Sequence, residues 1–182
     1  MAFAAASSEH PLATHAVGEV IGSVLEAIGP EPDLAAVFVT GPFAGAMADV
    51  ARTVRSLLRP RALVGSTAIS VLAGDHEVED RAAVSLFAAS WGSRSRRRGR
   101  GLRTIRLDAT RHGAGWRLSG DEDIARTDGT LLLLAEPSTF PVEGFVDEVH
   151  RRAPGLTVVG GLASVPPTVG ANALVADDAV QG

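Results

Sequence analysis

The chain has 182 residues, a formal net charge of −4 and no cysteine, which is length enough for one domain or two small lobes around a shared core. Its 46% hydrophobic content supports a packed interior and argues against wholesale disorder. The lack of cysteine excludes disulfides, thiolate metal ligands and cysteine nucleophiles. All 17 basic side chains are arginine, so Schiff-base lysine chemistry and a P-loop lysine are excluded too. The acidic balance gives no global reason to bind nucleic acid.

Residues 1–6 are apolar, but the stretch is short and lacks a positive flank, so it makes a poor signal peptide. No apolar stretch approaches the ~18–20 residues that span a bilayer. The expectation is a soluble cytoplasmic protein with no membrane partner, and the missing cysteines fit a reducing compartment.

Residues 12–28 carry Ala13, Ala16, Val17, Val20, Ile21, Val24 and Leu25 on one helical face. Gly18 and Gly22 each weaken that helix by ~1 kcal/mol relative to alanine. Pro30 and Pro32 punctuate the chain, and residues 34–40 (LAAVFVT) form a continuous apolar run typical of a buried strand. Gly41-Pro42-Phe43 breaks that run. A second amphipathic helix over 44–58 then presents Met47, Val50, Ala51, Val54, Leu57 and Leu58. Pro60 stops it, and 62–64 reads as a short strand ending in Gly65-Ser66-Thr67-Ala68. Further strands are expected over 82–90 and 102–108, with an arginine-rich loop between them and a polar connection over 110–128.

The earlier pattern then returns. Residues 130–135 (TLLLLA) read as a buried strand, Phe140-Pro141 leads into a helix with Val142, Phe145, Val146 and Val149 on one face, and Pro154 ends it. Residues 156–159 form the partner strand and close on Gly160-Gly161-Leu162-Ala163-Ser164. The predicted fold class is therefore α/β: a layered mixed sheet with a duplicated strand–helix–strand core and helices packed on the sheet. A short strand–helix–strand unit is most simply a right-handed crossover between parallel strands. The carboxyl ends of its strands then share a rim, formed here by residues 40–43, 65–68, 136–140 and 160–164. Ligands of open α/β sheets bind at such ends, and glycine there permits close approach to backbone N–H groups.

The same segments carry a family resemblance. Ser8-Glu9-His10-Pro11 and Pro32-Asp33-Leu34-Ala35-Ala36-Val37-Phe38 come first. Leu63-Val64-Gly65-Ser66-Thr67-Ala68, Gly74, Glu77-Val78-Glu79 and Ala83-Val84-Ser85-Leu86 follow. The last are residues 132–140, Pro154-Gly155-Leu156, Val159-Gly160-Gly161-Leu162-Ala163-Ser164, Asn172 and Asp177-Asp178. Together they resemble the N-terminal domain of the FIST sensory family over nearly the whole chain, read as one domain over residues 1–182 that lacks the C-terminal FIST domain. The resemblance implies a sensory module of bacterial signal transduction that binds small ligands such as amino acids. It brings no established catalytic residues, and its implied partner is a C-terminal FIST domain or a downstream signalling protein. Ser66 stands where cysteine is frequent in the family, Val165-Pro166-Pro167 replaces glycines, and the arginine loop is unusual.

The candidate ligand contacts are Gly65, Ser66, Thr67, Ala68, Gly160, Gly161 and Ser164, with Phe43 and Phe140 as apolar walls. No enzyme activity, metal or cofactor is expected: no G-x-G-x-x-G, P-loop or G-x-S-x-G occurs, and the five histidines include no H-x-x-x-H pair. A small polar metabolite is the expected partner. Two rivals remain. Arg94, Arg96, Arg97, Arg98 and Arg100 could hold a nucleic acid or an acidic protein, although no aromatic residue in the run offers a stacking platform. Ser66 with His76 and Asp80 could make a hydrolase, although sequence proximity says little about a triad. Asp121, Glu122, Asp123 and Asp128 lack the EF-hand spacing and read as a solvated loop.

Overall fold

The structure is a computed structural model that describes residues 1–91, 101–112, 115–120, 124, 129–165 and 172–181. The arginine run and the acidic residues 121–123 and 128 lie outside the described residues. The chain is mixed α/β and divides into two compact units, Met1–Thr104 with Ser164–Gly182, and Ile105–Ala163.

In the first unit, β1 (Ala2–Ser8), α1 (Ala13–Ile28) and β2 (Leu34–Thr40) are followed by a 3-10 turn (Gly41–Ala46), α2 (Met47–Leu57) and β3 (Ala62–Ala68). Next come β4 (Ser70–Ala73), β5 (His76–Glu79) and β6 (Val84–Ser90); β11 (Leu174–Ala176) and β12 (Ala179–Gln181) close the unit. Six of these strands form one sheet in the order β1-β6-β2-β3-β11-β12. β2 and β3 are parallel from Leu34↔Ala62 to Thr40↔Ala68, as the crossover argument requires. β6 runs antiparallel to both β1 and β2, so β1, β2 and β3 point the same way. Their carboxyl ends, Ser8, Thr40 and Ala68, therefore fall on one rim.

Alternation along the strands decides what each sheet face buries. Ala35, Val37 and Val39 of β2, Leu63 of β3, and Val84, Leu86 and Ala88 of β6 join one core. They meet Val17, Val20, Ile21 and Val24 of α1 and Met47, Val50 and Val54 of α2. Each such valine, leucine or isoleucine contributes ~1.5–3 kcal/mol on full burial. Gly18 and Gly22 lie on the exposed side of α1, where a Cβ would meet nothing within 4 Å. On the opposite sheet face the β4–β5 hairpin supplies Val71 and Val78, which pack with Ala83 and Phe38. That hairpin turns at Gly74-Asp75, with Gly74 at φ 63°, a backbone state that costs glycine little.

The second unit repeats the plan. β9 (Gly129–Ala135), α3 (Val142–Arg152) and β10 (Leu156–Leu162) form a parallel pair with its crossover helix. Phe145, Val149, Ala153 and Leu156 pack with Ile124 as its core. Preceding it is a hairpin of β7 (Asp108–His112) and β8 (Gly115–Ser119).

Several boundaries differ from the sequence reading. The strand expected over 102–108 instead begins at Asp108, and the polar connection after it contains the β7–β8 hairpin. Residues 65–68 and 160–162 of the Gly-small tails are strand rather than turn, because β2 and β9 continue beside them as far as Thr40 and Ala135. Residues 2–6 belong to β1; alanine is a poor strand former, and no alternation marks the segment.

Two buried or half-buried carboxylates fasten the amino ends of β2 and β3. Asp33, 3% exposed, accepts from Arg61 Nη1 at 3.2 Å and from the Trp91 N–H at 2.8 Å. Asp177, at φ 52° in the β11–β12 turn, accepts from the Leu63 N–H at 3.0 Å and donates its own N–H to the Leu63 carbonyl at 2.7 Å. Arg55 of α2 reaches Asp177 and Asp178 at 3.6 and 3.3 Å. Asp33→Ala strands the half-buried Trp91 N–H and should cost about 1–3 kcal/mol. Arg61→Ala, which loses a half-exposed partner, should cost under ~1 kcal/mol. Urea denaturation of both variants checks the ordering.

Candidate functional site

The carboxyl rim of the first unit is built from the ends of β2 and β3 and the segments that fold back onto them. Thr40, at the end of β2, is 1% exposed. Its Oγ1 donates to the Arg81 carbonyl at 2.6 Å and accepts from the Ala83 N–H at 2.8 Å. Its own N–H donates to the Ala83 carbonyl at 3.0 Å. One side chain thus ties the loop before β6 to the sheet.

Thr67 does the same for β3. The Ala173 N–H donates to Thr67 Oγ1 at 3.0 Å, and the Thr67 N–H donates to the Ala173 carbonyl at 3.0 Å. Thr67 Oγ1 donates to Asn172 Oδ1 at 3.4 Å, and that oxygen also accepts from the Val165 N–H at 2.9 Å. The Ser164 N–H donates to the Thr67 carbonyl at 3.4 Å, while Ser164 Oγ accepts from the Ile69 N–H at 3.1 Å. Thr67, Ser164 and Asn172 make one clasp. It holds both ends of the segment between Val165 and Asn172 against β3.

Ser66 is different. The residue is 3% exposed, and no hydrogen bond among the described residues engages its hydroxyl, although the side-chain oxygen that is itself buried without a partner there is Thr104 Oγ1 and not Ser66 Oγ. It pairs with Phe38 across β2 and with Leu174 across β11, so it lies on the sheet face that carries the β4–β5 hairpin. His76, weighed above as a base for Ser66, instead meets Glu9, with Nε2 to Oε1 at 3.1 Å.

The glycines have a packing explanation. A Cβ on Gly65 would lie 2.2 Å from the Val37 carbonyl oxygen, and one on Gly160 would lie 1.8 Å from that of Leu133. Gly160 also sits at φ 150°, which disfavours any other residue. Each glycine thus lets a partner carbonyl approach in the same place of its unit: Gly65 pairs with Val37 and Gly160 with Leu133. Gly161 has open space around it.

The first unit brings together Gly65, Ser66, Thr67, Ala68 and Ser164. Phe43, 7% exposed, belongs to its core. Gly160, Gly161 and Phe140 belong to the second unit, where Phe140 packs edge-on against Phe145 with ring centroids 5.3 Å apart. There Glu136 closes its own turn, accepting from the Ser138 and Thr139 N–H groups at 2.9 and 2.8 Å.

A second polar group on the rim escaped the sequence reading. Glu9 follows β1 and pairs with His76 and with Arg81, at 2.5 Å to Nη1. Ser8 Oγ donates to Glu19 of α1 and accepts from the His10 N–H at 3.2 Å. The His10 and His15 rings stack at 4.6 Å. Nothing in the spacing announces partners this far apart in the chain. Among the described residues no group of histidines and carboxylates could hold a metal ion.

Comparison with known proteins decides the family: the FIST N domain model matches residues 33–180. The chain belongs to the FIST N domain family. FIST domains are sensory domains of signal transduction. An uncharacterized protein of Mycobacterium bovis is 33% identical to this FIST domain over 155 residues, which is 85% of the chain and 38% of the relative. An uncharacterized protein of Mycobacterium tuberculosis is 31% identical over 139 residues, 76% of the chain and 34% of the relative. The chain thus spans little more than a third of the length of these curated relatives. No solved structure matches it significantly. No helix among the described residues is long and apolar enough to cross a membrane.

Of the three glycines among the candidate contacts, Gly65 and Gly160 are crowded and Gly161 is not, which makes a clean contrast. Gly65→Ala forces a Cβ onto a backbone carbonyl and should cost roughly 2–3 kcal/mol, whereas Gly161→Ala should change stability by under ~0.5 kcal/mol. Thermal and urea melts of the two variants measure the difference.

Proposed function

We propose that this FIST domain reversibly binds a small polar metabolite, an amino acid or a close relative of one, at the carboxyl ends of β2 and β3. The supporting observation is a division of labour among hydroxyls. Those of Thr40, Thr67 and Ser164 are consumed in holding the rim together, while that of Ser66 has no partner among the described residues. A hydroxyl that the fold does not use for its own closure is available to hydrogen-bond a ligand. Gly65, Ser66, Thr67, Ala68 and Ser164 are the candidate contacts. Gly160 and Gly161 are the counterparts in the second unit.

Binding without chemistry fits this arrangement. A serine nucleophile needs a base within hydrogen-bond reach, and His76 is turned to Glu9 instead. The ligand's effect would be a population shift: contact at Ser66 favours the closed clasp of Thr67, Ser164 and Asn172, and a partner reads that state. The partner is a C-terminal FIST domain or a downstream signalling protein of the bacterial cytoplasm.

A thermal-shift screen against amino acids and related metabolites tests the reading. A true ligand at ~100 times its Kd should stabilise the fold by ~2.7 kcal/mol. Ser66→Ala, which leaves the unliganded melt nearly unchanged, should weaken that ligand about tenfold. A flat screen on folded protein, or a ligand that Ser66→Ala binds equally well, would sink the proposal.

A further inference from the structure

The two ends of the six-stranded sheet are built very differently. One end is β12, three residues long and preceded by the acidic turn Asp177-Asp178. Short strands and nearby charge are what proteins use to keep a sheet edge from pairing further. The other end is β1, seven residues with the sequence AFAAASS, hydrogen-bonded to β6 over its whole length. It contains no charge, no proline and no glycine, and its pairing with β6 runs without a bulge from Ala2↔Ser90 to Ser8↔Val84. Seven residues at ~3.4 Å each make about 24 Å of strand edge that no other strand among the described residues pairs, and the strand itself carries none of the usual safeguards.

The side chains around this edge are also those of an unfinished interface. Phe3 is 65% exposed. Ala5 is exposed, and it pairs with Phe87, itself 38% exposed. Phe3 and Phe87 lie diagonally on one face of the sheet, since Phe3 pairs with Ala89 and Ala5 with Phe87. Two aromatic rings and a strand edge left unpaired among the described residues therefore coincide.

We infer that β1 pairs antiparallel with β1 of a second copy of this chain, joining two six-stranded sheets into one about a two-fold axis at Ala5. A two-fold interface must be complementary to itself, and this strand is. With Ala5 opposite its mate, Ala4 faces Ala6 and the bulky Phe3 faces the small Ser7, so large meets small on both sides of the axis. No charge within the strand meets its own like. The first charged side chain beyond it, Glu9, is already paired with Arg81 and His76. A charged edge would have opposed such pairing, because like charges directly across strands destabilise. This inference stands apart from ligand binding, for it uses neither β2 nor β3.

Because the chain has no cysteine, single-cysteine variants report the contact cleanly. Sedimentation of the full chain at tens of micromolar should give twice the 18.7 kDa chain mass. Ala5→Lys, at an exposed site, should give a monomer with an unchanged circular dichroism spectrum. Under mild oxidation Ala5→Cys should form a covalent dimer, whereas Ser23→Cys on the exposed face of α1 should not. The cysteine pair decides the matter even if the lysine variant folds poorly. A monomeric native chain, a dimer that survives Ala5→Lys intact, or equal cross-linking at both cysteines would overturn the inference.

Discussion

Because β2 and β3 run parallel, the chain that leaves Thr40 must travel back along the whole sheet before re-entering at Ala62. The crossover through α2 makes this return, and it buries Met47, Val50 and Val54 against the strands it connects. Once that register is set, the carboxyl ends of both strands are neighbours, and so are their amino ends. The amino ends are then fastened by carboxylates, Asp33 and Asp177, and the carboxyl ends by hydroxyls, Thr40 and Thr67. Charge at one end and neutral hydrogen bonding at the other leave the carboxyl rim free of carboxylates on β2 and β3 themselves.

Gly65 and Gly160 connect the two units at the level of backbone geometry. Each occupies the point in a parallel pair where the neighbouring carbonyl comes closest, and each would place a Cβ on that oxygen. Such glycines in a Gly-small motif invite a ligand-binding explanation. Here the strand next door already accounts for them. Among the described residues, the Ser66 hydroxyl takes no part in the hydrogen bonds that hold this stretch.

Much of this plan was legible in the sequence. The run LAAVFVT marked β2 to the residue, and the apolar spacing of Val17, Val20, Ile21 and Val24 marked the buried stripe of α1. The duplication was legible because both copies combine a buried strand, a proline-marked turn and an amphipathic helix. The Gly-small tails were misplaced: a strand that loses its bulky residues but keeps its partner looks like a turn in one dimension. β1 was missed because AFAAASS has neither alternation nor β-branching, and its strand state comes from pairing with β6 more than 75 residues later. The clasp is a similar case. Thr67 and Ser164 were both singled out, but their mutual contact and the part played by Asn172 span about a hundred residues, and no local pattern encodes such closure.

The boundaries of the two units have a topological consequence. Residues 105–163 interrupt a unit whose remaining pieces, before and after, supply all six strands of the larger sheet. The smaller unit is thus a guest inside the sequence of the larger, entered after Thr104 and left at Ser164. The exit residue is itself a member of the clasp, so the host regains its chain at the very point where β3 is capped. An architecture of this kind lets evolution exchange or resize the guest while the host keeps its ladder, provided the returning strand of polypeptide still presents a serine to Ile69 and an asparagine to Thr67.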